Sequence, residues 1–106
     1  MSFGVERMSE KAIFKEDTKI KLKKPKMYKV IIHNDDYSTM EFVVEVLVKV
    51  FHKKVPEATK IMLDVHNKGK GIVGIYTADI AATKIIQVKQ MAEEREFPLK
   101  LTMEEE

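Results

Sequence analysis

Cysteine is absent from the 106-residue chain, and so is tryptophan. Without a thiol there is neither a disulfide nor a thiolate metal site, and a nucleophile would have to be serine or threonine. That usage suits a reducing compartment. No apolar run approaches the roughly 18 residues that span a bilayer. The start, Met1-Ser2-Phe3-Gly4-Val5-Glu6-Arg7, lacks the apolar centre of a signal peptide. A cytoplasmic location with no membrane partner is the expectation. Net charge is only +2, too small an excess to argue for a nucleic-acid partner. The phosphate-binding patterns G-x-x-x-x-G-K-[ST] and G-x-G-x-x-G are missing, as is H-E-x-x-H. Gly69, Gly71 and Gly74 precede or lie within an expected strand rather than opening a helix. Ser2, Ser9 and Ser38 sit in no nucleophile elbow. No catalytic residue and no cofactor is expected.

What the chain does contain is 44% apolar and 34% charged residues, enough for one domain with a heavily solvated surface. Residues 1–25 show no sustained period, and Lys19, Lys21, Lys23 and Lys24 crowd their end. Such a segment buries too little apolar area to offset its ordering entropy, so a flexible N-terminal extension is expected. The core domain should then run over residues 26–106. Met27 to His33 reads as a strand with Tyr28, Val30 and Ile32 on one face. Met40, Val43, Val44, Leu47, Val48 and Phe51 carry helical spacing, which predicts a first helix over about 39–53. Pro56 opens a second helix that stops at Gly69, with Ala58, Ile61, Met62 and Val65 inward. Gly71 to Tyr76 is a second strand, and Gly74 suits a close approach by a neighbour. Thr77 caps a third helix over about 78–94, whose apolar face is Ile80, Ala81, Ile85, Val88 and Ala92. Leu99 to Met103 alternates as a last strand, before a solvated Glu104-Glu105-Glu106 end. The order β-α-α-β-α-β predicts an α+β two-layer domain: a three-stranded, mainly antiparallel sheet packed by three helices.

The chemistry concentrates in Asn34-Asp35-Asp36-Tyr37-Ser38-Thr39-Met40-Glu41-Phe42, between the first strand and the first helix. Adjacent aspartates disfavour each other's charge, and a helix N-terminus is where such a pair is tolerated cheaply. Ser38 with Glu41 reads as a capping box. A turn plus a cap is therefore the plainest account of the stretch. His33, Asp35, Asp36 and His66 also form a possible nitrogen and oxygen ligand set for a metal-dependent hydrolase. A binding reading uses the same residues differently. Asn34 and Asp36, with a histidine approaching from another helix, can accept hydrogen bonds from an ammonium group. Met40, Met62 and Val65 would leave an apolar recess beside them, methionine adapting readily to a ligand's shape. The same methionines at helical spacing are ordinarily just core.

Beyond composition and spacing, the string from Met27 through His33-Asn34-Asp35-Asp36 to Val43 resembles the signature of the ClpS family, the bacterial N-end rule adaptors. Ala58-Thr59-Lys60-Ile61-Met62-Leu63-Asp64-Val65-His66, then Gly69-Lys70-Gly71, is a second similar block. Tyr76-Thr77-Ala78-Asp79-Ile80-Ala81 with Thr83-Lys84 is a third. The resemblance spans about Pro25 to Thr102. It implies a non-enzymatic adaptor that binds proteins beginning with Leu, Phe, Tyr or Trp. These N-degron proteins are delivered to the ClpA unfoldase of the ClpAP protease. By matching position, Asn34, Asp36 and His66 hold the substrate α-amine, with Asp35 near the second residue. Ile32, Ser38, Met40, Val43, Met62, Val65 and Leu99 line the side-chain pocket, Met40 being the gatekeeper against β-branched residues. Asp79 and Lys84 contact the unfoldase's N-terminal domain, and the extension engages the unfoldase during delivery. Three positions depart from the family pattern: Ser38 where threonine is usual, Thr39 where proline is common, and His33 before the Asn-Asp-Asp run. A metal-dependent hydrolase and a generic protein-interaction domain, like that of the ribosomal stalk, are the competing expectations.

Overall fold

Strand β1, Met27–His33, is the middle strand of a three-stranded sheet in the order β2-β1-β3. The computed structural model describes residues 24–106, so the expectation of a flexible extension falls outside the described residues save for Lys24 and Pro25. Strands β2 (Lys70–Thr77) and β3 (Lys100–Glu105) both pair with β1 antiparallel. Helices α1 (Met40–Lys49) and α2 (Val55–Lys68) connect β1 to β2, and α3 (Ala78–Glu94) connects β2 to β3. This is the expected β-α-α-β-α-β domain.

Alternation along β1 turns Tyr28, Val30 and Ile32 to the helical layer, where Val30 and Ile32 are fully buried. The same register sets Gly74 opposite Val30 and Gly71 opposite Ile32. A Cβ on Gly71 would stand 3.0 Å from Val65 Cγ2, so α2 lies tightly on β2. Gly74 is roofed by Tyr76, whose phenol oxygen would be 2.7 Å from an added Cβ. Between these glycines the register shifts: Val30 faces Gly74 but Ile31 faces Ile72. The extra residue, Val73, is buried.

Helix α1 buries Phe42, Val43, Val46 and Leu47. It stops at Lys49, four residues short of the expected end, because the apolar pattern outlasts the helix. Phe51 is buried as the spacing requires, yet it lies beyond the helix, and His52 takes a left-handed φ of 56°. The N–H of Lys53 returns to the Leu47 carbonyl at 3.0 Å. Lys84 of α3 donates to the Val50 carbonyl at 2.7 Å and lies over the Phe51 and Tyr76 rings. At the other end of α3, Arg95 holds the Glu45 carboxylate at 3.1 and 2.6 Å and stacks on Phe42. With Lys49 alongside, it keeps the Glu45 pKa below its ordinary value. Helix α3 runs over the expected residues and buries Ala81, Val88 and Ala92, but Ile80 faces outward. Thr77 is its N-cap residue without donating or accepting a side-chain bond there. Glu104 and Glu105, expected in a solvated end, extend β3 opposite Lys29 and Tyr28.

Candidate functional site

One backbone hydrogen bond assembles the polar turn with the end of α2. The N–H of Asn34 donates to the Gly69 carbonyl at 2.9 Å. Gly69 is the C-cap of α2 with φ 90°, a conformation that glycine adopts without steric cost, and its own N–H donates to Val65. His66 lies within the last turn of that helix, and so arrives beside the residues that follow β1. Within the turn, Asp35 Oδ1 accepts the N–H groups of Tyr37 and Ser38 at 2.8 and 2.6 Å. These bonds hold the chain non-helical one residue longer than a Ser38 cap would allow. The N-cap is Thr39, whose Oγ1 accepts from the Phe42 N–H at 3.1 Å. The expected Ser38–Glu41 capping box is therefore replaced by a Thr39 cap.

Between the turn and the two helices lies a recess of about 250 Å³. Asn34, Asp35, Asp36, Ser38 and His66 supply its polar lining, and Met40, Val43, Met62 and Val65 its apolar lining. Asp35 Oδ2 and Ser38 Oγ are buried there with no hydrogen-bond partner. Burial raises the Asp35 pKa, but the N–H of Ser38, its nearby hydroxyl and the N–H of Tyr37 outweigh it. The carboxyl is held below its ordinary 3.8. A buried carboxylate oxygen without a donor costs about 1–3 kcal/mol, which the two N–H groups held by Oδ1 offset. The arrangement suits a small group that is cationic at one end and apolar at the other.

Nine of the expected site residues thus meet in one recess. Ile32 and Leu99 do not line it. Ile32 is sealed on the core face of β1, while Leu99 borders a separate cavity with Ile85, Val88 and Pro98. The four-residue metal set does not form either. Alternation turns His33 to the outer face of the sheet, where its Nε2 shares a 2.7 Å hydrogen bond with Thr102 Oγ1. Among the described residues no three His, Asp or Glu side chains are grouped to hold a metal ion, and no helix is long and apolar enough to cross a membrane.

Asp79 and Lys84 line a second, shallower depression of about 400 Å³ at the far end of α1. Lys49, His52 and the exposed Ile80 belong to it as well. Ile80 and Lys84 stand four apart on α3 and so share a face; Lys49 and His52 are brought beside them by the chain turn after α1.

Residues 23–102 match the family model described as ATP-dependent Clp protease adaptor protein ClpS. The chain belongs to the ClpS family. A relative from Acetivibrio thermocellus, named ATP-dependent Clp protease adapter protein ClpS, is 65% identical over 93% of this chain and all of its own. Another of that name from Clostridium acetobutylicum is 58% identical over 92% of this chain and 99% of its own. Among solved structures, Agrobacterium tumefaciens ClpS2 bound to L-phenylalaninamide matches with a TM-score of 0.76. It is 38% identical and covers 78% of this chain and 100% of that one. All nine recess residues fall inside the matched region. As a family member the chain is an adaptor of the Clp protease, in line with the names its relatives carry.

Proposed function

We propose that the recess captures the first residue of a protein chain through its free α-amine and its bulky apolar side chain. The observation that carries this reading is the mixed lining of one recess: acceptors from Asn34, Asp36 and His66 together with two methionines and two valines. L-Phenylalaninamide, bound by the Agrobacterium relative, has a free amine, a benzyl side chain and an amide where the next peptide bond would stand. It is the smallest imitation of a chain that begins with Phe. In this protein Asn34, Asp36 and His66 accept from the α-ammonium group. Asp35, whose Oδ1 is committed to its own turn, stands near the second residue. Ser38, Met40, Val43, Met62 and Val65 enclose the side chain of Leu, Phe, Tyr or Trp, and Met40 at the mouth disfavours β-branched residues.

Neither half suffices alone. A hydrogen bond to a charged group contributes roughly 1.5–3 kcal/mol, and burial of one large apolar side chain about as much. Both are needed to outweigh the cost of association. An internal leucine lacks the amine, so the recess selects chain ends. The captured protein passes to a ClpA-type unfoldase in the cytoplasm. The unfoldase's N-terminal domain meets the depression around Asp79 and Lys84, and residues 1–25 engage the unfoldase during delivery.

A fluorescence titration with three short peptides tests this: one beginning with Phe, its N-acetylated twin, and one beginning with Val. The first binds; acetylation abolishes binding and Val binds far more weakly. Equal binding of the acetylated peptide would remove the amine from the account.

A further inference from the structure

Met40 stands at the recess with 47% of its surface open to solvent. Among the described residues it is the one exposed methionine. Met27, Met62, Met91 and Met103 are half-buried, the last three packed against the core. The chain has no cysteine, so thioethers are the sole sulfur atoms an oxidant meets, and no thiol competes for it. The most accessible of the described ones is also part of the recess wall.

We infer that Met40 is a redox-sensitive gate: a peroxide converts its thioether to the sulfoxide, and this closes the recess to apolar first side chains. The inference rests on the reading of the recess as the site for such a side chain. In the reaction the sulfur lone pair attacks one oxygen of hydrogen peroxide and the O–O bond breaks. The sulfur–oxygen bond forms, the departing hydroxide takes the remaining proton, and the products are one sulfoxide and one water. Sulfur loses two electrons and the peroxide gains them.

The free protein tolerates the change, because an exposed sulfoxide keeps its oxygen in water. The occupied protein does not. A Phe or Leu side chain seated against Met40 strips that water away; Val43, Met62 and Val65 offer no donor in its place, and the Ser38 hydroxyl is itself buried out of reach. Oxidation therefore acts on affinity rather than on folding. It is reversible by methionine sulfoxide reductases, one enzyme for each epimer. Substrate bound in the recess covers the sulfur, so an occupied adaptor is protected from the oxidant.

The test uses the full chain, hydrogen peroxide and the Phe-initiated peptide. Peptide mapping by mass should find Met40 carrying one added oxygen before Met27, Met62, Met91 or Met103. Affinity should fall about tenfold or more in step with that fraction, as an unpartnered polar group in an apolar recess requires. The unfolding midpoint should stay in place, and the two reductases together should restore binding. Prior addition of the peptide should slow oxidation at Met40, and its acetylated twin should not. Met40→Leu, compared only with its own untreated affinity, should lose nothing on exposure to peroxide. A fully formed Met40 sulfoxide with unchanged affinity would overturn the gate, as would an equal loss in Met40→Leu. Failure of the untreated protein to bind the peptide would instead remove the site itself, and the gate with it. The oxidation map, which needs no peptide, separates the two results.

Discussion

The two ends of helix α1 carry depressions built from opposite materials. At its N-terminus Asp35 and Asp36 gather where the helix dipole favours negative charge. At its C-terminus Lys49, His52 and Lys84 gather where the dipole favours positive charge. The smaller, acidic recess keeps polar atoms unengaged, with Asp35 Oδ2 and Ser38 Oγ buried and unpartnered. In the larger, basic depression Lys84 is committed to the Val50 carbonyl and two aromatic rings. The exposed acceptors Asn34, Asp36 and His66 suit a small cationic end that enters and engages them. A shallow surface whose cation already serves the fold suits contact with another protein, through the rim groups Asp79 and Ile80. On the proposed function, one helix keeps cargo and machinery apart.

The largest effect expected from this contrast is on peptide affinity. Asp36→Ala should weaken binding of a Phe-initiated peptide by roughly 10- to 100-fold, the scale of one hydrogen bond to a charged group. Its unfolding midpoint should not move, since Asp36 is exposed. A titration beside a thermal melt checks both. Lys84→Met should reverse the pattern. It removes the bond that closes α1, so stability should fall by about 1–2 kcal/mol in urea unfolding while peptide affinity stays the same. If Lys84→Met instead lost peptide binding, the separation of the two ends would collapse.

Smaller effects sharpen the acidic end. Thr39→Ala removes the N-cap and should cost about 1 kcal/mol of stability. Ser38→Ala should cost less than about half of that, because the hydroxyl it deletes lies near the Asp35 carboxylate without a well-formed hydrogen bond. Asp35 adds a pH dependence. Its folded pKa is depressed, so its contribution is fully present above the ordinary 3.8 and is lost as pH falls through the folded value. Asp35→Asn should therefore show a flatter loss of stability below about pH 4 than the unaltered protein. Parallel acid-unfolding curves would contradict the assignment.

Much of this layout was legible in the sequence, for identifiable reasons. Strand β1 and helices α2 and α3 have marked ends: Pro56 and Gly69 for α2, Thr77 for α3. The recess was legible because its residues come from only two short stretches, 34–43 and 62–66, which the Asn34–Gly69 bond joins. The rest required coordinates. Apolar spacing cannot tell the last turn of a helix from a side chain tucked back beneath it, so Phe51 carried α1 too far. Ser38 and Thr39 are both good caps, and the Asp35 side chain chose between them by claiming the N–H of Ser38. Ile32 and Leu99 were assigned to the pocket by family resemblance; where they are buried depends on sheet register and on the turn before β3. Ile80 fits a helical stripe as well as Ala81 does, and only the packing of α3 on the sheet turns it outward.

The most direct test of two separate ends is a nitrogen-15 chemical-shift titration with the Phe-initiated peptide. The account predicts that the amides of Asn34 to Val43 and Met62 to His66 move together, while those of Lys49, His52 and Ile80 to Gln87 stay still. Movement centred on Ile80 and Lys84, with the Asn34 turn silent, would contradict it.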